Sequence, residues 1–116
     1  MAINGAFMPC GKTAKIVCSA AAANNITMTS DSPCQQYMLA NHTSQPVYLW
    51  LSANTAPVTV TLPTGSGANA GYAVVIPPNS FKVITGPQIS STAVVQASAI
   101  AETGTPDIYI TPGEGV

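Results

Sequence analysis

The chain has 116 residues, enough for one domain that buries roughly two thirds of the surface its unfolded form exposes. It carries 3 lysines, no arginine and 4 acids, a net charge of -1, and its 6% of charged residues compares with about 25% in ordinary soluble domains. Three scattered lysines (Lys12, Lys15 and Lys82) cannot neutralise a phosphate backbone, and the longest apolar runs fall far short of the ~20 residues of a membrane-spanning helix, so neither nucleic acid nor a membrane is expected as a partner.

A surface this poor in charge is built from Ser, Thr, Asn, Gln, Ala and Gly, which lose water at lower cost than ions and so suit a surface covered by other protein. The first lysine is Lys12, and no basic segment precedes an apolar one, so the order of a secretory signal is missing and synthesis in the cytoplasm without processing is expected. Cys10, Cys18 and Cys34 are odd in number and allow at most one internal disulfide, in a compartment where that inference favours free thiols.

In chain order, "SAAAANN" (19–25) alone has helix-forming composition and is too short to hold a helix. "TAKIVCS" (13–19) alternates Ala14, Ile16 and Cys18 against Lys15 and Val17. "NITMTS" (25–30) sets Ile26 and Met28 inward, and "SDSP" then turns. "QQYMLANHT" (35–43), with Tyr37 and Leu39 on one side, and "VYLWLSA" (47–53), with Val47, Leu49 and Leu51 opposed to Tyr48 and Trp50, are expected to pair as a hairpin. "APVTVTLP" (56–63) reads as a further strand through Val58, Val60 and Leu62, and "TGSGANAG" (64–71) as a loop. "YAVVIPP" (72–78) and "SFKVITG" (80–86) follow, with Pro77 and Pro78 forbidding a continuous central strand. "TAVVQASAIA" (92–101) and "DIYIT" (107–111) complete the set, with turns at "GPQISS" and "ETGTPD".

Eight or nine short strands with one apolar face each predict an all-β fold, a single β-sandwich of jelly-roll type over residues 1–116. An extended N-terminal segment (about 1–12) and a C-terminal tail (112–116) flank it. Ile108 and Ile110 seal the last strand, and Pro112, Gly113, Glu114 and Gly115 are expected to leave the core as an arm that docks on a partner.

Catalytic chemistry needs a nucleophile with a base, a metal, or paired carboxylates. The single histidine, His42, lies in the polar turn "NHTSQP", and Asp31, Glu102, Asp107 and Glu114 fall in turns or the tail, so no enzyme is expected. Cys-x7-Cys-x15-Cys-x7-His has zinc-type ligands without the tight Cys-x2-4-Cys clip, and "GSGANAG" lacks the lysine and helix of a phosphate loop, so neither metal nor cofactor is expected. Tyr48 and Trp50, opposite the aliphatic face of their strand, are candidate interface residues.

Three stretches, "QYMLANHTSQPVYLWLSANTAPVT", "GYAVVIPPNSFKVITGP" and "DIYITPGEGV", together resemble small tailed-bacteriophage virion proteins of the β-sandwich kind, among them capsid decoration or cement proteins. The resemblance covers roughly residues 35–116 and is one of pattern. It implies a virion protein made in the host bacterial cytoplasm that forms a homo-oligomer, dimer or trimer, and bridges major capsid protein subunits on the head surface. A tail, collar or head-fibre component is the alternative. A carbohydrate-binding sandwich is less suited to a chain with only seven aromatic rings of the Phe, Tyr and Trp kinds.

Overall fold

The computed structural model describes residues 7–68 and 72–115, so the start of the expected N-terminal segment, the tip of the 64–71 loop and Val116 lie outside the described residues. Nine strands form: β1 (Met8–Pro9), β2 (Ala14–Val17), β3 (Asn24–Met28), β4 (Cys34–Asn41), β5 (Val47–Ser52), β6 (Val74–Ile76), β7 (Ser80–Ile89), β8 (Val95–Ala101) and β9 (Asp107–Glu114). No helix occurs among the described residues.

The strands make two antiparallel sheets. In the first, β1 and β2 lie along one edge of β9, followed by β4 and β7; the second runs β3-β8-β5-β6. Pairing is nested, β2 with β9, β3 with β8, β4 with β7 and β5 with β6. The chain is thus one long hairpin rolled up until β4 also meets β9 and β5 meets β8. That is the connectivity of a jelly roll, and the expected all-β sandwich is what forms.

Alternation places the core. Ile16, Tyr37, Leu39, Ile108 and Ile110 of the first sheet face Val47, Leu49 and Ile76 of the second across Ala97, Ala99 and Ala101 of β8, whose small side chains leave room for the larger ones opposite. The Tyr37 hydroxyl donates to the Pro87 carbonyl, and a Cβ at Gly86 would stand 3.0 Å from its ring, so a side chain there would press on the largest core residue.

Four expectations are corrected. β4 and β5 are not a hairpin: they lie in different sheets, because the 42–46 turn crosses the sandwich. Asn41, fully buried at the end of β4, holds that crossing by donating to the Gln45 carbonyl (2.8 Å) and accepting from the Thr43 amide (3.0 Å) and hydroxyl (2.6 Å). Residues 56–63 form no strand. They run as a strap over the outer face of β8, where the Val60 amide donates to Ser98 Oγ (3.0 Å) and Gln96 Nε2 donates to the Thr55 carbonyl (3.1 Å). Val58 and Val60 are buried there, so every residue of β8 is covered. β7 continues through Gly86 and Pro87, where a turn was expected.

The fourth correction concerns the two ends. Pro112, Gly113 and Glu114 belong to β9, paired with Tyr37 and Gln36 on one side and with Pro9 and Met8 on the other, so neither the tail nor residues 8–10 of the N-terminal segment hang free. Proline is tolerated in this interior strand for a specific reason. The N and carbonyl of a strand residue point to the same side, and Pro112 O accepts from the Cys10 amide at 2.8 Å. The missing N–H therefore faces Cys10, whose carbonyl accepts instead from the Asp31 amide at 2.7 Å.

Candidate functional site

Several ionisable groups are engaged one by one in structural contacts. Lys15 Nζ lies 3.3 Å from the Asp107 carboxylate, and Glu102 accepts from the Tyr48 hydroxyl at 3.2 Å. His42 is exposed with its ring tilted against Tyr109, centroids 5.9 Å apart. Burial pushes the Cys18 thiol up to about 11, with the Asp107 charge adding to the push, and burial likewise raises the Tyr37 phenol. Both groups stay protonated at neutral pH. Among the described residues no three His, Cys, Asp or Glu side chains converge into a metal-binding group.

The surface is more informative. The two outer sheet faces differ: the strap covers much of one, and the other keeps apolar side chains at the surface. Because Tyr37 and Leu39 face the core, Met38 and Ala40 face out, in register with Val83 and Phe81 on β7 and with Thr111 and Tyr109 on β9. Phe81 is 71% exposed, and Val17 on β2, at the opposite edge of the same sheet, is 51% exposed. The Lys15–Asp107 ion pair sits at the margin of this face, on β2 and β9.

At one side of the sandwich the strand edges β6 and β7 are guarded. β6 has three residues and is stopped by Pro77 and Pro78. On β7 the side chain of Lys82 points inward, in register with Leu39, and its ammonium reaches across to the Val75 carbonyl at 3.1 Å. A short strand, prolines and an inward-pointing lysine are devices that oppose edge-to-edge pairing. Between these two edges opens a cleft of about 400 Å³ lined by Leu51, Val74, Ile84 and Pro87, with Trp50 and Tyr72 at its rim. The two rings meet edge to face, centroids 5.7 Å apart, and Tyr72 is 81% exposed. A second, more polar cleft of about 450 Å³ lies beside Glu114 and Gly115, walled by Gln35, Gln36 and Gln88.

Compared with protein-family models, with curated proteins and with solved structures, the chain matches none.

Of the residues singled out from sequence, Tyr48 and Trp50 do lie on the outward side of β5, half-buried. Pro112 and Gly113 are buried, and a Cβ at Gly113 would collide with the Met8 carbonyl and the Phe7 ring, so they are packed inside the molecule rather than offered to a partner. Glu114 and Gly115 are exposed. Phe81, Val83, Met38 and Tyr72 were missed. Their signal was present: "SFKVITG" puts Phe81 and Val83 on the side opposite Lys82 and Ile84, and a strand apolar on both faces has something to cover on both.

Proposed function

We propose that this protein is a structural component of a bacteriophage virion, a decoration or cement protein that binds and bridges major capsid protein subunits on the head. The observation that carries the reading is a jelly-roll sandwich whose surface is nearly devoid of charge and which leaves the Met38–Phe81–Val83–Tyr109 face uncovered. Jelly rolls serve viral capsids but also lectins and cupins, so the fold alone does not decide function, and charge and face together weigh toward protein contact.

In this role the protein acts by contact area repeated over a symmetric lattice, where many modest interactions add to firm attachment. Self-association into a dimer or trimer multiplies contacts further. With so few charges engaged, attachment depends weakly on salt. Residues 112–114 are strand, so in this reading they are not the attaching arm, and attachment runs through side chains of a sheet face.

The test is addition of the purified chain to capsid shells that lack it. Saturable binding at hundreds of copies per shell, little changed by raised salt and weakened by Phe81→Asp, supports the reading. A folded chain that leaves shells unbound refutes it. A dozen or fewer copies per virion assigns the chain to the tail, collar or head fibre instead.

A further inference from the structure

The cysteines have different surroundings. Cys18 is fully buried beyond the end of β2, its thiol directed to the Ile16 carbonyl at 3.8 Å. Cys10 and Cys34, in contrast, lie near each other. Cys10 follows β1, and its backbone is fixed from two sides by the Pro112 carbonyl at 2.8 Å and the Asp31 amide at 2.7 Å. The second bond ties Cys10 to the turn that leads into β4, whose first residue is the buried Cys34. The Cys10 side chain packs on the core cluster that contains Cys34, its thiol donating to the Met8 carbonyl at 3.6 Å, and it lies near enough to Cys34 to help burial raise that thiol.

We propose that Cys10 and Cys34 are a disulfide-forming pair that fastens the N-terminal strand to β4 in an oxidising medium, leaving Cys18 as the free thiol. A Cys10 backbone bonded from two sides, one of the bonds to the turn that leads into Cys34, a Cys34 paired with Ile89 on β7, and two side chains packed in one cluster meet the main requirement for a bridge, which is that little must move. With a low-molecular-weight disulfide as oxidant the step balances. The half-exposed Cys10, as thiolate, attacks one sulfur of the reagent, breaking its S–S bond and releasing one small thiol. Cys34, as thiolate, then attacks the Cys10 sulfur of the mixed disulfide and releases the second small thiol. Two protein thiols are oxidised, one small disulfide is reduced, and both protons end on the released thiols.

The bond acts where attachment is slightest. β1 has two residues, both exposed, held by register with Glu114 and Gly113. Linking residue 10 to residue 34 closes a loop containing β2 and β3, which restricts the unfolded chain. The same fold is thus made with free thiols in a reducing cytoplasm and tightened after leaving it. This inference stands whether or not the chain is a virion protein.

The full chain is equilibrated with excess oxidised glutathione, then denatured, alkylated and cleaved after lysine and before aspartate, which separates all three cysteines. The expected result is a monomer with a linked Cys10 and Cys34 peptide pair, Cys18 alkylated, and a Tm about 10 °C above that of the reduced protein. Cys18→Ser forms the same bridge. Three alkylated thiols, a glutathione trapped on Cys10, a bridge through Cys18, or a bridge between two chains each overturns the proposal.

Discussion

Asn41 is where the fold is most sensitive to one atom. Its side chain is fully buried, with Nδ2 set among the carbonyls of Gln45 (2.8 Å), Ile76 (3.4 Å) and Pro77 (3.3 Å), and Oδ1 accepting twice from Thr43. It therefore ties the β4-to-β5 crossing to the end of β6. Asn41→Ala removes about four hydrogen bonds at about 1 kcal/mol each, a loss of about 4 kcal/mol. Asn41→Asp keeps the shape but turns an oxygen toward those carbonyls. Holding that carboxyl neutral at pH 7, against an ordinary value of about 3.9, costs about 4 kcal/mol beyond the donor it has lost. The folded-state pKa of this new group lies above the unfolded one, so its penalty grows as pH rises and disappears below about pH 4. Urea unfolding followed by Trp50 fluorescence should show Asn41→Asp at least as damaging as Asn41→Ala at pH 7, and closing on wild type as pH falls to about 4. An Asp variant within about 1 kcal/mol of wild type at pH 7, or one with the wild-type pH profile, would refute the assignment of donor and acceptor at this corner.

Three further outcomes are expected. Ending the chain after Thr111 removes the acceptor of the Cys10 amide and the partners of β1, and should lower stability by more than about 2 kcal/mol in urea titration; an unchanged midpoint would restore the free arm. Ser98→Ala takes the acceptor from the buried Val60 amide and should cost about 1–3 kcal/mol, with faster proteolysis of the 53–63 strap in the same sample. Alkaline titration should show stability falling between about pH 9 and about 11, because the unfolded chain gives up the Cys18 proton near 9.0 while the folded chain keeps it to about 11. Cys18→Ala should flatten that slope, with Tyr37 and Cys34, raised in the same direction, sustaining the remainder.

Period-two alternation was legible wherever a strand has one wet face: Ile16 against Lys15, Val47 and Leu49 against Tyr48, Ile108 and Ile110 against Tyr109 all fall as their spacing requires. Alternation reports burial, however, and not pairing. Val58, Val60 and Leu62 alternate like a strand and two of them are buried like one, yet the Val60 amide bonds to the Ser98 side chain of β8 and not to a neighbouring strand's backbone. Which sheet a strand joins was also hidden. Adjacent strands separated by the short 42–46 turn read as a hairpin, while in a rolled hairpin the partner of β4 is β7, some forty positions on. Pro112 was misplaced because the rule against interior prolines concerns a missing donor, and here the acceptor it would have served is satisfied by Asp31, a residue far away in sequence. Pro112 and Gly113 are accordingly buried within β9 and not in an extended tail.

That correction alters how the molecule can associate. A docking arm, or strand addition at an edge, depends on unpaired backbone; β9 is paired on both sides, β6 is cut short by prolines, and β7 carries Lys82 turned inward, which leaves β2 and β3 as the edges without such a guard. Side chains are the other means of contact, and the two outer sheet faces are unequal. Over β8 the chain has supplied its own cover, with Val58 and Val60 closing on Ser98 and Ile100. Over β4 it has not, and Phe81, at 71% exposed, costs apolar surface in water that a sequence indifferent to partners would more readily give to a polar residue. The same chain thus shows both solutions to an apolar outer face, cover from within on one sheet and an open surface on the other, and the second is the face that the proposed contact would use.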